Sequence, residues 1–437
     1  MTNTVASKRR ITKRANGIQN QRGGCYNPHP IAHRAFSLSG ETLACEAKTE
    51  IALIRLDEKT RSYPYAKALI ASVLRVEAMA TVRTDGIKPD LMQMLLLETA
   101  EKGGRAAPHM KKDFLRKWFP ASPVEINEAS YEAYCAFQAL HCVLDYTPLD
   151  EGITADHLMD LYQICMRGSR REKNAQLRRD DKGKSEKAVG VAGVTYITPD
   201  ASRIDDLMDD LMDFCNRDYL APLTRSAIAH FQLEAIRPVA EGIDSLGRLL
   251  AFLLWKQAGL IEVIFPPFSI TPSVQTQKHT ELLVPYKTKR GFERHSAMEA
   301  LDDWIAHCSR ATRRSTELTY EFMEAISSLE KKWRSKLAGL HKNSALDLLL
   351  RELPGMPILT VTDVVSLTGK KFQTANECVN RLVEEGILIP FSDGKRNRLF
   401  KAPEAIEALQ RTGHRFFPQD APKRENFFTV LEVTETL

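Results

Sequence analysis

His230-Phe231-Gln232-Leu233-Glu234-Ala235-Ile236-Arg237-Pro238-Val239-Ala240-Glu241-Gly242-Ile243-Asp244-Ser245-Leu246-Gly247-Arg248-Leu249-Leu250 is the stretch on which the fold turns. Its first part continues a helical pattern that begins near Leu223-Thr224. That helix has to stop by Pro238, because proline has no N–H to give and crowds the residue before it out of the helical region. A glycine-bearing loop follows. From Leu246 to Trp255 the chain is apolar nearly all round, which predicts a helix at the centre of a domain. Glu241 and Asp244 lie where a helix start favours negative charge, and Gly247 permits close approach of a second helix.

Working outward, apolar residues recur at helical spacing from about Glu46, as in Leu69, Ile70, Val73, Leu74 and then Leu91, Met94, Leu95, and again through Ala133, Phe137 and Leu140. Ser202 with Asp205 three residues later predicts an acidic capping box. Ile204, Leu207, Met208, Leu211 and Met212 then form one helical face. The segment Ala188 to Ile197, with its β-branched residues and glycines, breaks the pattern and predicts a short hairpin closed by Pro199. Pro266-Pro267 interrupts the chain, and long helices are expected from Ala300 to Leu337, solvated around Arg310, Arg313 and Arg314.

Pro354-Gly355-Met356-Pro357 reads as a linker. Beyond it, Thr362 to Gly369 predicts a short helix ending in glycine, and Gln373 to Glu385 a second. Gly386 to Phe391 and Arg398 to Phe400 are strand-like and flank Asp393-Gly394, a hairpin turn signal. Helix, helix and two-stranded wing predict a winged helix-turn-helix. Lys370, Lys371, Lys395, Arg396 and Arg398 suit phosphate contacts, and Gln373, Thr374, Asn376 and Asn380 are the side chains expected to reach a major groove. Glu377, Glu384 and Glu385 weaken that positive surface, and the same fold also serves as a protein-docking or dimer module.

The chain has 437 residues, 43% of them apolar, enough for two or three domains with cores of their own. Its longest apolar run, near Leu249 to Trp255, falls far short of the roughly 18 residues that a membrane helix needs. The basic N-terminus, with Lys8, Arg9, Arg10, Lys13 and Arg14, is not followed by the apolar core of a secretory signal, so a cytoplasmic location is expected. The 8 cysteines are scattered without a Cys-x-x-Cys pair, which fits reduced thiols. A net charge of +5 permits a polyanionic partner without requiring one.

The Arg237–Arg248 stretch resembles the signature of the Fic family, His-Pro-Phe-x-Asp/Glu-Gly-Asn-Gly-Arg-x-Gly-Arg. Glu77 to Gly86 resembles that family's inhibitory-helix motif, with Asp85 at the glutamate position. Met166 to Arg170 resembles the segment upstream of its flap, and the hairpin carrying Gly190, Val191 and Gly193 fits the flap itself. The match in order and spacing runs from about Glu50 to Pro403.

The fold class expected on these grounds is mainly α: a Fic-type helical core with a short β-hairpin flap, plus a C-terminal winged helix-turn-helix domain. The expected divisions are a mobile basic arm at 1–45, an N-terminal helical region at 46–130, a core at 131–265, a helical extension at 266–353, the winged helix at 356–403 and a tail at 404–437.

What the resemblance implies about chemistry is uneven. The family histidine takes the proton from a target hydroxyl, which then attacks the α-phosphate of ATP; here that catalytic position is Arg237. A guanidinium, protonated and delocalised, has no lone pair to accept a proton. Glu241 matches the magnesium-binding acid, Gly242 and Gly247 are kept, and Arg248 matches the arginine that holds the γ-phosphate. The family's Asn, second Gly and first Arg are Ile243, Asp244 and Ser245, and Asp244 sets a like charge at an anion site, opposing phosphate by about 1 to 4 kcal/mol.

ATP and magnesium are the implied cofactors, and these substitutions weigh toward none. The expectation is a Fic-like pseudo-enzyme that acts as a regulator, binding DNA or a partner through the winged helix. The alternative is an active nucleotidyltransferase, or another enzyme of phosphorylated substrates, working without a histidine base. Partner expectations are DNA at the winged helix, a protein strand added at the flap, a second copy of the chain as a homodimer, and no membrane.

Overall fold

A computed structural model describes residues 28–84, 86–102, 126–146, 152–179, 198–274, 282, 294–391 and 398–414. Asp85, the flap residues Gly190, Val191 and Gly193, and Lys395 and Arg396 of the anticipated wing lie outside them.

The described chain is mainly helical. Its first helices are α1 (Gly40–Arg61), α2 (Ala66–Thr84), α3 (Leu91–Lys102), α4 (Glu128–Leu144) and α5 (Ala155–Met166). Ser39, Asn127 and Thr154 accept backbone N–H groups at the starts of α1, α4 and α5, using short polar side chains where a helix leaves donors unpaired. Within residues 28–39, anticipated as part of an arm, Ile31 and Ala32 are buried, and the Ile31 N–H donates to the Asp210 carboxylate at 2.7 Å.

Next come α6 (Ile204–Cys215), α7 (Pro222–Ile236) and α8 (Ile243–Gln257). Asp205 does not close a capping box with Ser202. A 3-10 turn at Ala201–Arg203 precedes α6, and the Asp205 carboxylate pairs with Arg179 at 2.5 Å instead. α7 is buried on every side from Leu223 to Ile236, and α8 almost so from Ile243 to Trp255. These two helices share one large core with α2, α4, α5, α6 and Trp304.

After the short α9 (Ile270–Val274), the 43-residue α10 (Arg294–Lys336) runs for about 65 Å. Leu301, Trp304 and Ile305 of α10 enter the main core. Leu318, Phe322 and Ile326 pack with Leu69 and Val73 of α2. Leu329 and Trp333 join a further core formed with α11 (Ala345–Glu352) and the elements after it.

Those elements are β1 (Ile358–Thr360), α12 (Val361–Thr368), α13 (Phe372–Glu384), β2 (Ile389–Pro390), β3 (Leu399–Lys401) and α14 (Pro403–His414). The three strands form an antiparallel sheet in the order β1-β3-β2, with Leu359 opposite Phe400 and Pro390 also opposite Phe400. Thr360 and Asp363 form a full capping box on α12, and Gly369 ends it at φ 65°. β1 was not anticipated, and the strand expected from Gly386 narrows to two residues. The expected linker is buried: Pro354 and Gly355 form a 3-10 turn, and a Cβ on Gly355 would come within 2.5 Å of the Ala68 Cα.

Candidate active site

The junction between α7 and α8 carries the candidate chemistry. α7 stops at Arg237, which adopts φ 45° and ψ 62° and donates its N–H to the Leu233 carbonyl at 2.8 Å. Left-handed backbone is costly for a residue with a Cβ, and a following proline disfavours helical backbone further. Arg178, buried beside the loop, holds it: its Nε donates to the Arg237 carbonyl and its N–H to the Pro238 carbonyl, both at 2.8 Å, while Nη2 reaches the Pro199 carbonyl at 3.1 Å.

Glu241 is half exposed, and its carboxylate sits 3.4 Å from Arg171, which also lies 3.9 Å from Glu132. The Tyr162 hydroxyl donates to the Glu241 carbonyl at 2.5 Å. Gly242 turns the chain into α8 at φ 64°, where a Cβ would meet the Met166 Cε at 2.9 Å. Gly247 faces His230 across the α7–α8 contact; a Cβ there would stand 2.6 Å from the imidazole Nε2. The two glycines are therefore needed for different reasons, one for its backbone angle and one for space.

Arg248 is 1% exposed. Its Nη1 donates to the Asp244 carbonyl at 2.7 Å and to the Asp244 carboxylate at 3.2 Å, while Nε and Nη2 are buried without a hydrogen-bond partner. Glu77 of α2 lies in the same region, accepting from the Ser269 N–H at 2.7 Å and the Ser269 hydroxyl at 2.5 Å. Burial drives its carboxyl well above the usual range, against the opposing pull of Ser269 and the Arg248 charge. Asp85, at the inhibitory glutamate position of the resemblance, lies outside the described residues; the carboxylate on Arg248 is that of Asp244, one helical turn earlier.

Residues 152–255 match the model of the Fic/DOC family. That stretch is a Fic/DOC-family domain. Among solved structures it is similar to a Fic family protein from Desulfovibrio desulfuricans G20, at 16% identity and a TM-score of 0.47, over 84% of this chain and 97% of that one. It is also similar to Fic-1 (aa134–508) from C. elegans, at 14% identity and a TM-score of 0.44, over 64% of this chain and 73% of that one.

Of the predicted residues, the structure brings Gly242, Gly247, Arg248 and Asp244 onto α8 and its start, with Arg237 and Glu241 on the loop before it. Glu241 is turned to Arg171, a pairing that sequence gave no sign of. His230 and Glu234 were missed as site residues. They stand one turn apart on the α7 face toward Asp244, and the three side chains place ligand atoms within 4.8 Å of one another. Their i, i+4 spacing was the available signal.

In the C-terminal unit, Lys371, Gln373, Thr374 and Asn380 are exposed along α13, with Lys371 preceding its first residue. Asn376 accepts from Arg398, the residue before β3, at 3.0 Å. Gln373 donates to Glu377 at 3.2 Å.

Proposed function

We propose that this Fic domain no longer transfers AMP by its family's route and that the protein acts as a regulator, binding DNA through α13. The observation that carries the first half is the Asp244 carboxylate on the Arg248 guanidinium, joined to an arginine rather than a histidine at position 237. A general base has to accept a proton within hydrogen-bond reach, and arginine does not do so near neutral pH. Arg248, in turn, meets a carboxylate of its own helix at the place where the family resemblance implies a phosphate.

The second half is supported by the exposed start of α13, where Lys370, Lys371, Gln373 and Thr374 lie together, with Arg398 alongside. Lysines ahead of a helix suit backbone phosphates, and the first turns of such a helix suit base edges. Association of the full chain with duplex DNA, measured across a range of salt, tests this half. Binding is expected to weaken as salt rises, and K370E with K371E is expected to flatten the log–log slope by about 1 per lysine removed. Equal, salt-insensitive behaviour of both proteins would contradict it.

A rival in which Arg237, Arg248 and Glu241 act together on a phosphorylated substrate draws less support, since Glu241 is paired with Arg171 and Arg248 with Asp244.

A further inference from the structure

The substitution that spoils an anion cradle at the start of α8 also assembles donors of the opposite kind. His230 and Glu234 share a face of α7, and Asp244 approaches from the first turn of α8, so that one imidazole nitrogen and two carboxylate oxygens lie within 4.8 Å of one another. His230 is 2% exposed and Glu234 5%, and Asp244 is half-buried. The imidazole is held edge-on to Trp304 at 5.5 Å between ring centres, with Gly247 on its other side. We propose that His230, Glu234 and Asp244 form a binding site for one divalent cation of the zinc class.

Several physical points converge on this. One imidazole with two carboxylates is a donor set that zinc and its neighbours accept at three protein positions, leaving a further position for an oxygen ligand. Ligand atoms on one four-coordinate ion of this class stand about 3.4 Å apart, so the widest separation in the trio has to close by a little over an ångström when the ion enters.

Arg248 adds an independent observation. It is 1% exposed, grips Asp244 through Nη1, and keeps Nε and Nη2 buried with no acceptor. A carboxylate ligand is ordinarily oriented by a second hydrogen bond of this type. With Arg248 paired to Asp244, a divalent ion beside Glu234 and Asp244 leaves one positive charge in excess, which an anionic oxygen ligand on the ion would offset. The site would therefore take the cation together with a water, hydroxide or small oxyanion.

Glu241, the acid that aligns with the family's magnesium position, is no part of this set, and that separates the two ideas experimentally. Metal-stripped full-length protein is titrated with Zn²⁺ by calorimetry and with Co²⁺ by visible absorption. One equivalent per chain is expected, with a Co²⁺ spectrum of low coordination number. Glu234→Gln and Asp244→Asn, both close in size to the native residue, are each expected to weaken binding by about tenfold or more, and Arg248→Gln to weaken it in the same range. Glu241→Gln is expected to leave it unchanged. Absence of a stoichiometric equivalent in the wild-type chain would overturn the proposal, as would affinity that survives both Glu234→Gln and Asp244→Asn or is lost in Glu241→Gln. Because the readout is metal affinity, its result is independent of whether the protein transfers AMP or binds DNA.

Discussion

Arg237 holds φ 45° and ψ 62° directly ahead of Pro238, and no contact of its own side chain is needed to see that this is expensive. Left-handed backbone costs a residue with a Cβ about 1–2 kcal/mol, part of which glycine avoids. Arg237→Gly is therefore expected to raise stability in urea by about 0.5–1 kcal/mol; a loss of stability would mean that the guanidinium holds the loop. The position of this arginine relative to Pro238, Glu241, Gly242 and Arg248 was legible in the sequence, because each residue type leaves a mark at fixed spacing. Its left-handed backbone was not, since arginine carries no such signature. Nor was the Arg171–Glu241 pair, which joins residues 70 positions apart and depends on how α5 meets the loop.

At the scale of elements, α8 was readable because burial leaves a nearly unbroken apolar record from Leu246 to Trp255. In contrast α7, as deeply buried but carrying Thr224, Arg225, Ser226, His230, Gln232 and Glu234, was marked by its stop ahead of Pro238. β1 was not, because three residues give too short a pattern and its partner, β3, lies some 40 residues on. The contact of α1 with α7 carries a pH dependence of its own. Glu46 is 2% exposed, accepts a hydrogen bond from the Thr224 hydroxyl, and stands near Glu50 and Asp302; burial pushes its carboxyl up to about 7 from 4.5. Since the folded chain keeps this proton to higher pH than the unfolded chain, the favourable contribution is complete below about 4.5 and is lost as pH rises through about 7. Wild-type stability is expected to fall relative to Glu46→Gln between pH 5 and pH 8, by on the order of 2–3 kcal/mol. Parallel pH profiles for the two proteins, from thermal or urea unfolding, would show that Glu46 does not carry the effect.

Across the whole molecule, α2 is one of the elements through which the Fic core meets the C-terminal unit, beside α3 and α10. Arg75 on α2 is 1% exposed; it binds Glu98 of α3 through Nε at 2.7 Å and Nη2 at 2.8 Å, and Nη2 also reaches the Gly355 carbonyl at 2.5 Å. The same helix carries Glu77 beside Ser269 and Arg248. Removing one partner of a buried pair leaves the other charge uncompensated. Glu98→Ala is thus expected to cost about 3–5 kcal/mol and to speed protease cleavage near Gly355; an unchanged cleavage pattern would show that the turn is held by packing on Ala68 alone. Sequence signalled Pro354 to Pro357 as a break, yet only the fold reveals that the break is buried, because the partners Arg75 and Ala68 lie some 280 residues earlier. α10, by spanning both cores, makes the described chain a continuous framework around the α7–α8 loop. The claim on which the functional account rests is that this framework presents a loop with its phosphate arginine already taken. Labelled ATP with magnesium, followed for both retention and transfer to protein hydroxyls, tests it most directly in the wild-type chain. The account predicts neither retention nor transfer; wild-type labelling, above all labelling that Arg237→Ala abolishes, would contradict it.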